Sequence, residues 1–243
     1  MIVSNSLPML LLLVMVIVET SSIFSIVEGQ QTSTKIQCDQ KEFERQLDKL
    51  LVITSNERNF PEDKQQLRQF CSDNTKLFQT ITAYKNQCLK ETLKNFVSII
   101  VYSIRGSMKR ICAKKSTEST LALIDSSSCI NRNKNSINKC MRENASYLAS
   151  IKKSRNELKM PHFCCEFEKL LSCFADVMRK TGCEDKLPVL IENITGVTGN
   201  FMNSMCGEYN SDSDKCDHLP TLTKSKPIST NFVTNIVDFF NSV

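Results

Sequence analysis

Twelve cysteines, all between Cys38 and Cys216, constrain this 243-residue chain more than any other feature. In an exported protein an even set reads as a disulfide framework, whereas in a reducing compartment it would suggest metal or redox work. No Cys-x-x-Cys pair occurs, which removes the usual zinc-knuckle and thioredoxin-like readings. Cys38, Cys71, Cys88, Cys112, Cys129, Cys140, Cys164, Cys165, Cys173, Cys183, Cys206 and Cys216 are all candidate half-cystines. They admit on the order of ten thousand complete pairings, so connectivity stays open.

One stretch narrows the choice. In PHFCCEFEKLLSC, Cys164 and Cys165 are adjacent and Cys173 follows on the same predicted helix. Neighbouring cysteines do not readily bridge each other. Cys165 and Cys173 would stand ~12 Å apart along a helix axis, beyond the roughly 7 Å limit for bridged Cα atoms. Each of the three therefore needs a different partner segment, which makes this helix a hub with Phe163, Phe167, Leu170, Leu171, Phe174 and Met178 on its core face. The same distance argument forbids Cys88–Cys112 within one helix, while Cys206–Cys216 across a polar loop remains open.

The N-terminus agrees with export. Met9–Val18 (MLLLLVMVIV) is uniformly apolar and stops at Glu19. At ~15 Å as a helix it is about half the hydrocarbon thickness of a bilayer, the length of a signal-peptide core rather than a span. Residues 1–29 are read as a signal peptide cleaved after Gly29, with Ser22 as the alternative site and an uncleaved anchor as the competing reading. No Lys or Arg precedes the apolar run. Two sequons, at Asn144 and Asn193, are candidate N-glycosylation sites in an exported chain.

Charge excludes little. The net charge of +5 becomes +7 once Glu19 and Glu28 leave with residues 1–29. Lys109, Arg110, Lys114 and Lys115 cluster, as do Lys152, Lys153, Arg155 and Lys159. Such clusters are usually solvated helix faces, with a sulfated glycan or anionic membrane as the sharper reading. Nucleic acid is not an expected partner outside the cell.

Six Gly, six Pro and dominant helical spacing predict an all-α, disulfide-stapled array of about six to eight helices with no sheet. Phe43, Leu47, Leu50 and Leu51 share one face. Pro61 is placed at a helix start ahead of Leu67 and Phe70, and Ser72 or Asp73 as the cap of a further helix bearing Leu77, Phe78, Ile81 and Tyr84. The segment between Cys88 and Cys112 is the most apolar of the mature chain. Its Phe96, Val97, Ile99, Ile100, Val101 and Ile104 predict the central core helix. Further helical pieces are expected near 117–125, 135–155, 162–181 and 185–205, the last with Leu190, Ile194, Val197, Phe201 and Met205 inward and Pro188 in its first turn. Residues 30–217 read as one disulfide-rich domain and 218–243 as a linker plus an amphipathic segment, Phe232, Val233, Ile236, Val237 and Phe240. That segment could dock on its own domain, meet a partner or lie on a membrane; no transmembrane span is expected.

Catalytic constellations are missing from the sequence. The vicinal cysteines resemble the opening of the secreted phospholipase motif, but Glu168 and Lys169 stand where that motif needs His and Asp. No Gly-x-Ser-x-Gly or His-Glu-x-x-His occurs. Glu166 and Glu168, two apart on a helix, point away from each other. A metal site using the two histidines, His162 and His218, would need thiolates that oxidation removes. No catalytic residue, metal or cofactor is therefore expected.

Cysteine count, leader and helical context, carried by Cys38 to Cys216 and especially HFCCEFEKLLSC and CEDKLPVLIENITGVTGNFMNSMC, resemble the cysteine-rich extracellular domain of unknown function of nematode and arthropod secreted proteins. Its arthropod members are similar to the 27 kDa haemolymph glycoproteins. The resemblance implies a secreted, glycosylated, non-enzymatic binding or structural protein of body fluid, with no catalytic residue to carry over. Its partner is an unknown protein, a glycan or a small apolar ligand. Insect odorant-binding proteins share the logic of helices pinned around an apolar ligand, although their Cys-x-x-x-Cys is absent here. A hydrolase without a recognisable motif is the rival of a different class.

Overall fold

The computed structural model describes residues 37–198 and 201–243. The signal-peptide expectation and the inward placement of Val197 and Phe201 lie outside the described residues and side chains. Among the described residues the chain is all-α. Its helices are α1 (Gln40–Leu51), α2 (Lys64–Cys88), α3 (Glu91–Ile111), α4 (Glu118–Ile151), α5 (Asn156–Lys180), α6 (Leu187–Thr198), α7 (Phe201–Cys206) and α8 (Phe232–Phe240), with a 3-10 turn at Glu184–Lys186. No strand occurs among them.

Asp39 starts α1 by accepting the Lys41 and Glu42 amides, and Asp63 starts α2 through Gln65 and Gln66. Such caps satisfy amides that a helix leaves unpaired. Phe43, Leu47 and Leu50 bury one face of α1. The helix ends at Val52, whose φ of +64° and ψ of −51°, with the Ile53 amide donating to the Leu51 carbonyl at 2.7 Å, make a strained γ-turn. A β-branched residue resists that conformation; here the turn sends both Val52 and Ile53 into the core.

Two local expectations are corrected. Pro61 lies before the Asp63 cap rather than in the first turn, and α2 runs unbroken through Ser72 and Asp73. Phe70, Asn74, Leu77, Phe78, Ile81 and Tyr84 recur at helical spacing on its buried side, so one apolar face carries the helix past both polar residues.

The central helix is α4, not the Cys88–Cys112 segment. It packs against α3, α5, α6 and α8, and spans ~50 Å. Its inner stripe is Thr120, Leu123, Ser127, Ile130, Lys134, Ile137, Met141, Asn144, Leu148 and Ile151, all buried. The alternating three- and four-residue steps are those of a helix-packing seam. Each polar member has a partner: Thr120 Oγ1 donates to the Ile111 carbonyl (2.9 Å) and Ser127 Oγ to that of Leu123 (2.7 Å). Lys134 Nζ donates to the Arg58 carbonyl and to Asn59 Oδ1. In α3, by contrast, Val97, Ile100, Val101 and Ile104 are buried while Ile99 stays 57 % exposed and Tyr102 80 %.

After the turn at 152–155, α5 folds back along α4. It starts before Pro161 rather than after it and carries that proline internally. Pro188 does fall in the first turn of α6.

All twelve cysteines are bridged: Cys38–Cys88, Cys71–Cys112, Cys129–Cys183, Cys140–Cys173, Cys164–Cys206 and Cys165–Cys216. The three cysteines of α5 reach α4, α7 and the loop at Cys216, so the hub arrangement holds. The open Cys206–Cys216 pairing is not formed, because both sulfurs turn to α5. The bridges fall into two sets, 38–112 and 129–216, and none joins one set to the other. What unites α1–α3 with α4–α7 is apolar packing, with Ile53, Phe60, Phe70 and Ile111 on one side meeting Leu123, Ile130, Ile137 and Phe174 on the other, together with hydrogen bonds such as those from Thr120 and Lys134.

The compact unit extends to Val243. Residues 218–243 therefore belong to it, and of the readings open for the amphipathic segment it takes docking on its own domain: α8 buries Val233, Val237 and Phe239. No described helix is long and apolar enough to cross a membrane.

Candidate functional site

Where the two bridged sets meet, an apolar cavity of about 70 Å³ remains. Leu51, Ile53, Ile99 and Ile100 come from the first set, and Met141, Asn144, Leu148, Phe163, Phe167, Ile194 and Met202 from the second. Phe232, Val233, Ile236 and Phe240 of α8 close it. Ile99 both lines the space and is largely exposed, so it marks the rim. Asn144 is the single polar side chain among the described residues of this wall. One water needs roughly 10–15 Å³ of such space and several hydrogen-bonding partners, so walls of this kind favour an apolar occupant.

The closing helix lies beyond the last cysteine and is held without a covalent bond. At its start, Ser229 Oγ donates to Glu44 Oε2 (2.8 Å) and Thr234 Oγ1 to Glu44 Oε1 (3.1 Å). Asn231 Nδ2 donates to Asp48 Oδ1 (3.0 Å), and Asn231 Oδ1 caps α8 at the Thr234 amide. Burial pushes the Asp48 carboxyl above its ordinary pKa, with the neighbouring Glu44 charge acting in the same direction. At the other end Lys152 pairs with Asp238, and the buried Lys159 donates to the Ser242 carbonyl. Between them Phe239 stacks on Phe163 with ring centres 4.6 Å apart, and Phe240 meets Phe96 at 5.3 Å.

This docking absorbs the second basic cluster. Lys152, Lys153 and Lys159 reach Asp238, Ser225 and Ser242 and so tie distant chain segments together, while Arg155 is exposed and pairs with its near neighbour Glu157. Lys109, Lys114 and Lys115 are exposed, and Arg110 pairs loosely with Glu192.

Both sequons are placed differently from surface glycan acceptors. Asn144 is 6 % exposed, and its Nδ2 donates to the Glu166 carbonyl at 2.9 Å across the α4–α5 contact; no glycan fits there in the folded chain. Asn193 is half-buried within α6, with Nδ2 on the Val189 carbonyl, beside a small cavity shared with Ile53 and Met108. The signal missed in the sequence is periodic. Asn144 continues the stripe of Ile137, Met141, Leu148 and Ile151, a core position that outranks the sequon pattern.

The histidines are not equivalent. His162 is buried in α5, whereas His218 is exposed, with Asp214 at 3.4 Å. Among the described residues no three His, Cys, Asp or Glu side chains are placed to hold a metal ion. Glu166 is buried and pairs with Lys169 (2.7 Å), while burial raises the Glu168 carboxyl.

Burial holds the His162 pKa below its ordinary value, the Glu166 charge opposing this only in part. A histidine lowered on folding binds fewer protons in the native than in the unfolded state. Its contribution is complete above the unfolded value near 6.5 and is lost as pH falls toward the folded one. In denaturant titrations from pH 7.5 to 5 the His162 contribution should lower the native chain's stability with acidity, against the raised Asp48 and Glu168 carboxyls, which act with the opposite sign. Relative to the native chain, His162→Gln should lose less stability with acidity, since these carboxyls are common to both. Equal slopes would refute the assignment.

No family model, curated protein or solved structure matches the chain. The fold and the cavity therefore carry the functional argument.

Proposed function

We propose that the chain is a secreted, non-enzymatic protein that binds a small apolar ligand in the cavity between its two disulfide-linked sets of helices. The observation carrying this reading is the cavity itself, whose described wall is apolar but for Asn144. Three facts support it. Six intramolecular bridges and a signal-peptide-like leader suit an extracellular site of action. The absence of any bridge between 38–112 and 129–216 lets the walls part without breaking a covalent bond. The helix that closes the cavity is held by hydrogen bonds, the Lys152–Asp238 ion pair and apolar packing, with no disulfide.

The test compares the intact mass of the secreted protein under native and denaturing conditions, followed by titration with the apolar fluorophore N-phenyl-1-naphthylamine. A stoichiometric mass lost on denaturation, or saturable one-to-one fluorophore binding, is expected. A chain that emerges empty and leaves the fluorophore in water would sink the reading. It would turn attention to the exposed stripe of α3 around Ile99 and Tyr102 as a protein- or glycan-binding face.

A further inference from the structure

Resting on the apolar-ligand reading, we infer that the ligand is an apolar alcohol whose hydroxyl is received by Asn144. This side chain is more than nine-tenths buried, on a stripe whose neighbours Met141 and Leu148 also line the cavity. The Glu166 carbonyl can only accept a hydrogen bond, so its 2.9 Å contact fixes the amide with Nδ2 toward α5 and Oδ1 turned away from it. Among the described residues nothing donates to Oδ1, and it is not one of the side-chain atoms sealed from solvent without a partner. The open space that Asn144 borders is the cavity. One acceptor, and the second hydrogen of Nδ2, are therefore offered to whatever enters.

The pairing of Asn144 with Glu166 would need only the amide hydrogen. A hydroxyl group answers both remaining functions, donating to Oδ1 and accepting from Nδ2. A carboxylate does not fit: among the described residues no cationic side chain lines the wall, and an uncompensated buried charge is strongly disfavoured. A pure hydrocarbon fits the walls but leaves Oδ1 unpaired, at a cost that hydrogen-bonding ligands avoid.

Cyclohexanol, methylcyclohexane and cyclohexanecarboxylate share one ring and form the test series; each exceeds the resting space of about 70 Å³, so binding requires the unbridged walls to part. Competition against N-phenyl-1-naphthylamine should show the first two binding and the carboxylate failing. In Asn144→Leu the ratio of alcohol to hydrocarbon affinity should fall by about fivefold or more, because the hydroxyl loses its partner. A ratio unchanged within about twofold would overturn the assignment, as would binding of the carboxylate. Should the variant not fold, the native chain decides: the Asn144 side-chain amide resonance should move with cyclohexanol and stay put with methylcyclohexane, and equal shifts would count against it. If neither neutral compound nor the fluorophore binds, the cavity reading itself fails. If all bind without discrimination, only the alcohol assignment does.

Discussion

Phe239→Ala should release α8 from the domain while α4 and α5 stay folded. Phe239 is fully buried, stacked on Phe163 and edge-on to Phe240. Removing a buried phenyl ring costs about 3–5 kcal/mol. The polar contacts at the ends of α8 contribute at most roughly 1 kcal/mol each and less where they are solvated, so the Phe239 ring is the largest single contribution holding the helix. A nine-residue helix is not stable alone in water, so the detached segment should become coil. Because no disulfide crosses to α8, the loss stops there. Hydrogen exchange should show Phe232–Phe240 amides unprotected, with those around Ile137 and Phe174 little changed. Equal loss of protection in all helices would mean that α8 and the body unfold as one unit, and that local release is wrong. The fluorophore should also lose affinity, since the cavity loses the wall built by Phe232, Val233, Ile236 and Phe240.

Cys165→Ala with Cys216→Ala should lower the unfolding free energy by about 4 kcal/mol. The bridge closes a separation of 51 residues, and constraining a loop of that length in the unfolded chain contributes about 4 kcal/mol in the chain-entropy account. A second effect follows from position. Cys216 anchors the base of the extended segment that leads to α8. Without it the tether restarts at Cys206, and the effective concentration of α8 at its groove falls. Urea titration followed separately by helix content and by fluorophore binding should therefore show two departures from the native chain. The global midpoint should drop, and binding should be lost before it. A midpoint lowered by less than the equivalent of about 1 kcal/mol, or coincident curves, would contradict the account.

The helices were legible wherever one apolar face ran at helical spacing, as in α1 with Phe43, Leu47 and Leu50. They were illegible where polar side chains occupy the seam. α4 reads as two pieces because Ser126, Ser127, Asn133 and Lys134 interrupt it, yet all four are buried. The acceptors of Lys134, the Arg58 carbonyl and Asn59 Oδ1, lie far away in the chain, while Ser127 and Asn133 bond back to the Leu123 and Cys129 carbonyls of the same helix. The hydrophobicity of α3 misled in the opposite sense. Ile99 counts as core in a periodicity reading but stands at the rim of a cavity whose other walls come from α4, α5 and α8. Of the site, the sequence marked Asn144, as a sequon, and the apolar face of α8. It did not bring them to one place.

What the amino-acid order determined alone is local and covalent. It set the helical class, the oxidised framework, and the rule that Cys164, Cys165 and Cys173 take separate partners, since those follow from periodicity and from distances along one helix. Which partners they take, the division of the bridges into two unlinked sets, and the cavity left between them were decided by tertiary packing. Each of these depends on how helices distant in sequence meet, and no local pattern encodes the shape of the space they fail to fill.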